Sequence, residues 1–266
     1  MGDDVRRLDP AASARTGIAH VREHVPERAL TTWVLLDVSA SMAFGTAARL
    51  KSDVAAGVTE VVGRLAVRRA GRVALLTFGA EVQALLPPRG GRHGLVALRR
   101  AVAAGVAPDN LCLPTKSVEC TPPAADALAL GLRRVMRLAR GPGLVVVVSD
   151  FREGAAPARG GGERAARPPW TRALSALTGR HDVLAVEVVD PREAALPDAG
   201  QLTLVDPETG ARLEIDTASA ELRRAFASAE LARRDELKAA LRRARARHVT
   251  LSTNGDWLRA LGRSLR

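Results

Sequence analysis

The sequence predicts an α/β protein: a doubly wound, mostly parallel sheet flanked by helices, with an inserted β-hairpin. Three observations predict it. Short apolar runs bounded by breakers alternate with longer Ala/Leu/Arg segments along the 266 residues, the strand–helix rhythm of such sheets. The run Leu144–Val148 is apolar at every position, as a central parallel strand buried on both faces must be. Finally, Asp206-Pro-Glu-Thr-Gly210 is a turn signal between two short runs, breaking the rhythm before a last helix–strand–helix unit.

The elements follow in order. Trp33–Asp37 reads as a buried strand, and a helix is expected from about Ala47 to Arg69. Arg72–Phe78 and Glu81–Leu86 read as strands joined by the tight Gly79-Ala80 turn. Helical patterns at Gly94–Ala104 and Ala124–Arg140 precede the Leu144–Val148 strand. Arg152–Arg167, rich in Gly, Ala and Arg, reads as a loop. A short helix at Pro169–Gly179 and a strand at Val183–Val189 lead to Asp190. The hairpin uses Leu202–Val205 and Arg212–Ile215, followed by a helix over Ser219–Arg245, a strand at His248–Ser252 and a helix from Gly255. Residues 1–30 read as an N-terminal segment and 31–266 as the main domain, with the hairpin insertion near 200–216.

Composition narrows the function classes. Hydrophobic residues are 47% and charged residues 26%, which fits a globular chain and excludes a disordered one. No apolar run approaches the 18 or more residues that span a bilayer. The start, Met-Gly-Asp-Asp-Val-Arg-Arg, has no apolar signal core, so a cytoplasmic protein without membrane contact is expected. The net charge of +11 raises nucleic acid as a partner. However, only Lys51, Lys116 and Lys238 are lysines, aromatics are 3% and tyrosine is absent, which leaves little for a base-stacking platform. Cys112 and Cys120 have no second pair with which to complete a zinc site.

In doubly wound sheets, ligands sit beyond the carboxyl ends of the strands. After the first strand comes Asp37-Val-Ser-Ala-Ser41, and after the valine run comes Ser149-Asp150-Phe151. Cys120-Thr121-Pro-Pro lies between them, before a helix. In an extended loop, residues two apart point the same way, so Asp37, Ser39 and Ser41 can face one ion. Two carboxylates with hydroxyl ligands are a hard-oxygen set suited to Mg²⁺, with Mn²⁺ as the other candidate. The competing structural reading is a serine-rich helix cap with Asp37 and Asp150 as turn residues. Met42, Phe44 and Asp190 are the candidate partner-facing residues at the same edge, with packing as the favoured use of Met42 and Phe44.

At these residues the chain resembles a von Willebrand factor A domain with a metal-ion-dependent adhesion site. That resemblance implies that Ser39, Ser41 and Thr121 touch the metal, with Asp37 and Asp150 acting largely through water. It also implies that an acidic side chain of a partner completes the shell. Thr115 is a rival for Thr121. Across the whole chain, Gly2-Asp-Asp-Val-Arg-Arg-Leu-Asp9, Ser13-Ala-Arg-Thr16, Ser149-Asp-Phe151, Asp190-Pro-Arg-Glu193, Leu196-Pro-Asp198 and Asp206-Pro-Glu-Thr-Gly210 resemble the DUF58 family. The implied function is a non-catalytic bacterial accessory of a MoxR-type AAA+ ATPase, acting in chaperone-like maturation or assembly. Pro10 stands where family members commonly have tryptophan, and the chain begins almost on the first motif, so a truncated N-terminal segment is expected.

Other readings rank lower. Phosphatases with an aspartyl nucleophile place a second Asp where Ser39 stands, and serine cannot act as that general acid near neutral pH. Gly45–Ser52 has a P-loop's Gly-to-Lys spacing, but Leu50 occupies the second glycine position. His20, Arg22 and His24 would share one face of a strand, without further ligand-type residues nearby. Asp190-Pro-Arg192 reads equally as a third acid at the sheet edge or as a strand-ending turn.

Overall fold

The computed structural model describes residues 8–21, 30–79, 83–105, 126–153 and 168–265. Its strands are β1 (Thr31–Asp37), β2 (Arg72–Phe78), β3 (Leu85–Gly90), β4 (Gly143–Ser149), β5 (Asp182–Val189), β6 (Gln201–Val205), β7 (Arg212–Asp216) and β8 (Arg247–Ser252). Six of them form one sheet in the order β3-β2-β1-β4-β5-β8, while β6 and β7 pair separately as an antiparallel hairpin. Within the main sheet only β2–β3 is antiparallel. The expected mostly parallel sheet with an inserted hairpin is therefore present. The chain winds outward one way from β1 and the other way from β4, so the order reverses between these two neighbours. The crevice beyond their carboxyl ends is the ligand position in such folds.

Each central strand serves two cores. Trp33, Leu35, Val145 and Val147 pack under α4 (Ala127–Leu138), α5 (Trp170–Thr178) and α6 (Ala220–Arg243). Val34, Leu36, Val146 and Val148 pack against α2 (Lys51–Arg68), α3 (Gly91–Val102) and α7 (Trp257–Ser264). Period-2 alternation with both faces covered is why these strands read as unbroken apolar runs. Each fully buried Val or Leu contributes roughly 1.5–3 kcal/mol, so β1 and β4 anchor the residues at their carboxyl ends through both cores.

Four local expectations are corrected. The third strand begins at Leu85 instead of Glu81 and includes Pro87 and Pro88. Prolines lack the N–H of an interior ladder but are tolerated at a sheet edge, and β3 is that edge. The helix expected from Ala47 begins at Lys51. Thr46 is drawn instead to Asp190, which accepts bonds from its backbone N at 2.8 Å and its hydroxyl at 2.5 Å. The N-terminal segment contains a helix, α1 (Pro10–Thr16), where none is expected. Asp9 caps it by accepting from the N–H groups of Ala11 and Ala12, both at 3.1 Å, and Pro10 at its start suits a position whose N–H has no helical acceptor. His20 is not on a strand and bonds the Thr16 hydroxyl at 2.7 Å, while Arg22 and His24 lie outside the described residues. Among the described residues, no helix is long and apolar enough to cross a membrane.

Candidate metal centre

β1 ends on Asp37, whose buried carboxylate organises the loop after it. Its Oδ1 accepts from the backbone N of Ser39 at 2.9 Å and the Ser39 hydroxyl at 2.6 Å. Its Oδ2 accepts from the hydroxyl of Ser149, the last residue of β4, at 2.6 Å. Ser39 opens a short 3₁₀ turn, Ala40–Ala43, which brings Ser41 Oγ to 3.1 Å from Ser39 Oγ. β2 supplies the wall. Gly79 follows it with φ +87°, and a Cβ there would stand 2.8 Å from Ser39 Cβ and 2.9 Å from Asp37 Oδ1. Only glycine fits this position.

The electrostatics of the two strand-end carboxylates diverge. Burial, then the nearby Asp150 charge, push Asp37 up to about 7, against hydrogen bonds from Ser149 and Ser39. Its named hydrogen-bond donors are hydroxyls and a backbone amide, with no cationic group among them. Burial also acts to raise Asp150, but the charge and hydrogen bond of Lys51, with help from Arg152, hold it below the usual carboxylate range. Lys51 opens α2 and is fully buried, its Nζ 2.7 Å from both Asp150 Oδ2 and Glu193 Oε1. Burial acts to lower the Lys51 ammonium, yet the Asp150 and Glu193 charges raise it above its ordinary value. The backbone N of Arg152 donates to Asp150 Oδ1 at 3.1 Å, and its guanidinium pairs with Glu193 at 3.2 Å and Glu230 at 3.0 Å. The turn between them places Phe151 at φ +52°, a conformation that costs a non-glycine residue roughly 1–2 kcal/mol. The buried ring packs edge-on to Trp170 at 5.8 Å between centroids.

The described residues of the expected set thus come together as Asp37, Ser39 and Ser41, with Asp150 beside them but already neutralised by Lys51. Thr121 and its rival Thr115 lie outside the described residues. Two partner-facing expectations are corrected. Met42 is fully buried in the core. Asp190 is likewise fully buried, accepting from Thr46, the Thr253 hydroxyl at 2.6 Å and the Arg192 N–H at 2.9 Å. These donors outweigh burial and lower its carboxyl to about 2. Asp190 is a strand-ending cap that staples the Thr46 loop to β5. Of the three, Phe44 alone is open, 40% exposed, with the Lys51 ammonium 5.8 Å from its ring centroid.

Three participants escape sequence reasoning: Lys51, Glu193 and Glu208. Glu208, at the hairpin tip, lies near enough to Ser41 and Ser39 for their hydroxyls to act to lower its carboxyl. Burial, then the Asp150 and Asp206 charges, raise its carboxyl. For Lys51 a signal existed, because a lysine at a helix start is conspicuous in a chain whose other basic residues are nearly all arginine.

The residues present fit a divalent cation through hydroxyls. Among the described residues, no three His, Cys, Asp or Glu side chains are grouped to hold a metal, so a cation would depend on serine oxygens and water. An octahedral Mg²⁺ with ligands at about 2.1 Å spaces adjacent oxygens about 3.0 Å apart, and the Ser39–Ser41 pair stands at 3.1 Å. Each hydroxyl has one proton. With Asp37 ionised, the Ser39 proton serves Asp37, so Ser39 Oγ meets the Ser41 hydroxyl as an acceptor.

Residues 1–236 match the family described as "Protein of unknown function DUF58". Uncharacterised proteins of Mycobacterium tuberculosis and Mycobacterium bovis are each 34% identical to the chain over 262 residues, covering 97% of it and 73% of their own length. Among solved structures, the conserved hypothetical protein BatB from Bacteroides thetaiotaomicron is similar at a TM-score of 0.47 and 14% identity, covering 89% of this chain and 97% of its own. The SpRpn10 VWA domain is similar at a TM-score of 0.40 and 10% identity, covering 88% of this chain and 95% of its own.

Proposed function

The chain belongs to the DUF58 family, and from that premise we propose that it is a non-catalytic, Mg²⁺-dependent protein-interaction module. Its partner is a MoxR-type AAA+ ATPase of the bacterial cytoplasm, and its role is that of an accessory in chaperone-like maturation or assembly. Ser39 and Ser41, with Thr121, hold the ion; Asp37 orients Ser39 and supplies negative charge, and Asp150 adds to the field through water. An acidic side chain of the partner completes the shell. Neutral hydroxyl ligands leave the ion electron-poor, which favours an incoming carboxylate. Mn²⁺ can take the place of Mg²⁺ in the same oxygen set.

The observation that carries this reading is the pair of serine oxygens 3.1 Å apart beside a buried carboxylate served by hydroxyls and an amide. An aspartyl phosphotransfer reading gains nothing from Lys51, because its ammonium is engaged by Asp150 and Glu193. The test is capture of the ATPase by tagged protein in Mg²⁺ and in EDTA, with Asp37→Ala and Ser39→Ala alongside. The proposal expects capture by wild type in Mg²⁺ only. Equal capture in EDTA, or by either variant, overturns the metal-bridged mechanism.

A further inference from the structure

Positive charge gathers without partners at the end of the sheet remote from the metal centre. β3 ends level with Arg72, at the opposite end of β2 from Phe78 and the Asp37 loop. α3 follows at once, and strand end and helix enclose a groove of about 480 Å³ lined by Arg89, Arg92, His93, Val96, Ala97 and Arg100. Ligand clefts are typically about 300–1,000 Å³. Residues 83–105 contain four arginines and no Asp or Glu. Arg99, which does not line the groove, donates to Glu60 through Nε at 2.8 Å, and Glu60 also pairs with Arg64 at 2.6 Å. Among the described residues, no ion pair or hydrogen bond engages the side chains of Arg89, Arg92 or Arg100. Between the last two lies Val96, 43% exposed, while Gly94 and Leu98 anchor the helix by its buried side.

We propose that this groove binds an extended acidic segment of a partner protein, with an aliphatic side chain held between two carboxylates. Arg92, Val96 and Arg100 recur every four residues on one helix face, about 6 Å apart along the axis at about 1.5 Å per residue. An extended peptide presents every second side chain on one face, about 6.6 Å apart. The pattern acid-x-aliphatic-x-acid therefore matches arginine, valine and arginine position for position. Each guanidinium fork takes a carboxylate through two parallel hydrogen bonds, and the aliphatic side chain covers Val96 and Ala97. Arg89 and His93 extend the basic wall on the β3 side. Pro87 and Pro88 deprive the β3 edge of N–H donors, so recognition rests on side chains instead of an added strand. Nucleic acid fits less well, because no Phe, Tyr or Trp lines the groove to stack on a base. The groove needs no cation and is independent of the metal-site reading.

The test is fluorescence anisotropy of a labelled peptide with the core Glu-Ser-Leu-Ser-Glu, in EDTA and at low salt. The full chain is compared with the double variants Arg92→Ala/Arg100→Ala and Arg133→Ala/Arg137→Ala. The second removes the same charge from an exposed face of α4. A peptide of the same composition with adjacent glutamates, and an oligothymidylate, serve as further probes. All four arginines are exposed, and thermal unfolding confirms that both variants are folded. Losing two carboxylate–guanidinium pairs is expected to weaken binding about tenfold in Arg92→Ala/Arg100→Ala, and the α4 variant is expected to bind like wild type. The rearranged peptide and the oligothymidylate are expected to bind more weakly than the first peptide. Equal losses in the two variants, or equal binding of the two peptides, would overturn the groove in favour of general surface charge. Tighter binding of oligothymidylate, lost with Arg92 and Arg100, would overturn the peptide in favour of a nucleic-acid backbone. No binding of the peptide by wild type would overturn the proposal outright.

Discussion

Asp37 and Asp150 end adjacent parallel strands and are both buried, yet they live in opposite surroundings. Asp150 has a resident cation, the Lys51 ammonium at 2.7 Å, and stays ionised. Asp37 has three hydroxyl or amide hydrogen bonds and is pushed up to about 7. A buried charge must be paired or it takes up a proton. The difference separates a closed half of the sheet edge, where Lys51 and Arg152 neutralise Asp150 and Glu193 from within, from an open half where the named donors to Asp37 carry no charge. The proposed metal function belongs to the open half, and the closed half holds its geometry.

Substitutions break this comparison at different points. The largest effect is expected on binding: Asp37→Ala or Ser39→Ala abolishes metal-dependent capture of the partner, with a cooperative unfolding transition retained. Lys51→Met comes next, since it leaves Asp150 and Glu193 without their shared cation. Removing one member of such a buried ion pair costs about 3–5 kcal/mol, measurable as a lower denaturant midpoint. Asp190→Ala strands the inward-facing hydroxyls of Thr46 and Thr253. It is expected to cost about 2–3 kcal/mol and to leave Mg²⁺ binding weakened less than Asp37→Ala does. Gly79→Ala adds a Cβ against Ser39 and Asp37 at a positive φ, for about 1–2 kcal/mol, and also lowers metal affinity.

A change of pH sharpens the contrast in another way. Because the Asp37 carboxyl is raised in the folded protein to about 7 from 3.8, the metal-free fold binds the extra proton between those values. Its contribution to stability therefore falls as pH rises from about 4 through about 7. Asp37→Asn lacks this contribution, so unfolding in EDTA should show the wild type losing stability relative to the variant across that window. Mg²⁺ binding, which requires the ionised carboxylate, should strengthen over the same window.

The fold was legible in the sequence because β1 and β4 are buried on both faces, which forces unbroken apolar runs. Asp37, Ser39, Ser41 and Asp150 were legible for the same reason, as the first polar residues after such runs. What escaped depends on contacts distant in the chain. Lys51 finds Asp150 and Glu193 only once α2 packs against the sheet edge. Asp190 read equally as an acid at the sheet edge or as a strand-ending turn, and Thr46 and Thr253, folding over it, decide for the turn. Met42 follows the metal loop in sequence, but the 3₁₀ turn directs it into the core. Glu208 belonged to a recognisable turn, and nothing local indicates that the turn comes near the serines after β1.

The most direct test of the central claim is a calorimetric titration of Mg²⁺ into metal-free wild type and Asp37→Ala, both confirmed as folded. One ion bound per wild-type chain and none by Asp37→Ala is the predicted result. No binding by wild type, or equal binding by both, would contradict the assignment of a metal centre to Asp37, Ser39 and Ser41.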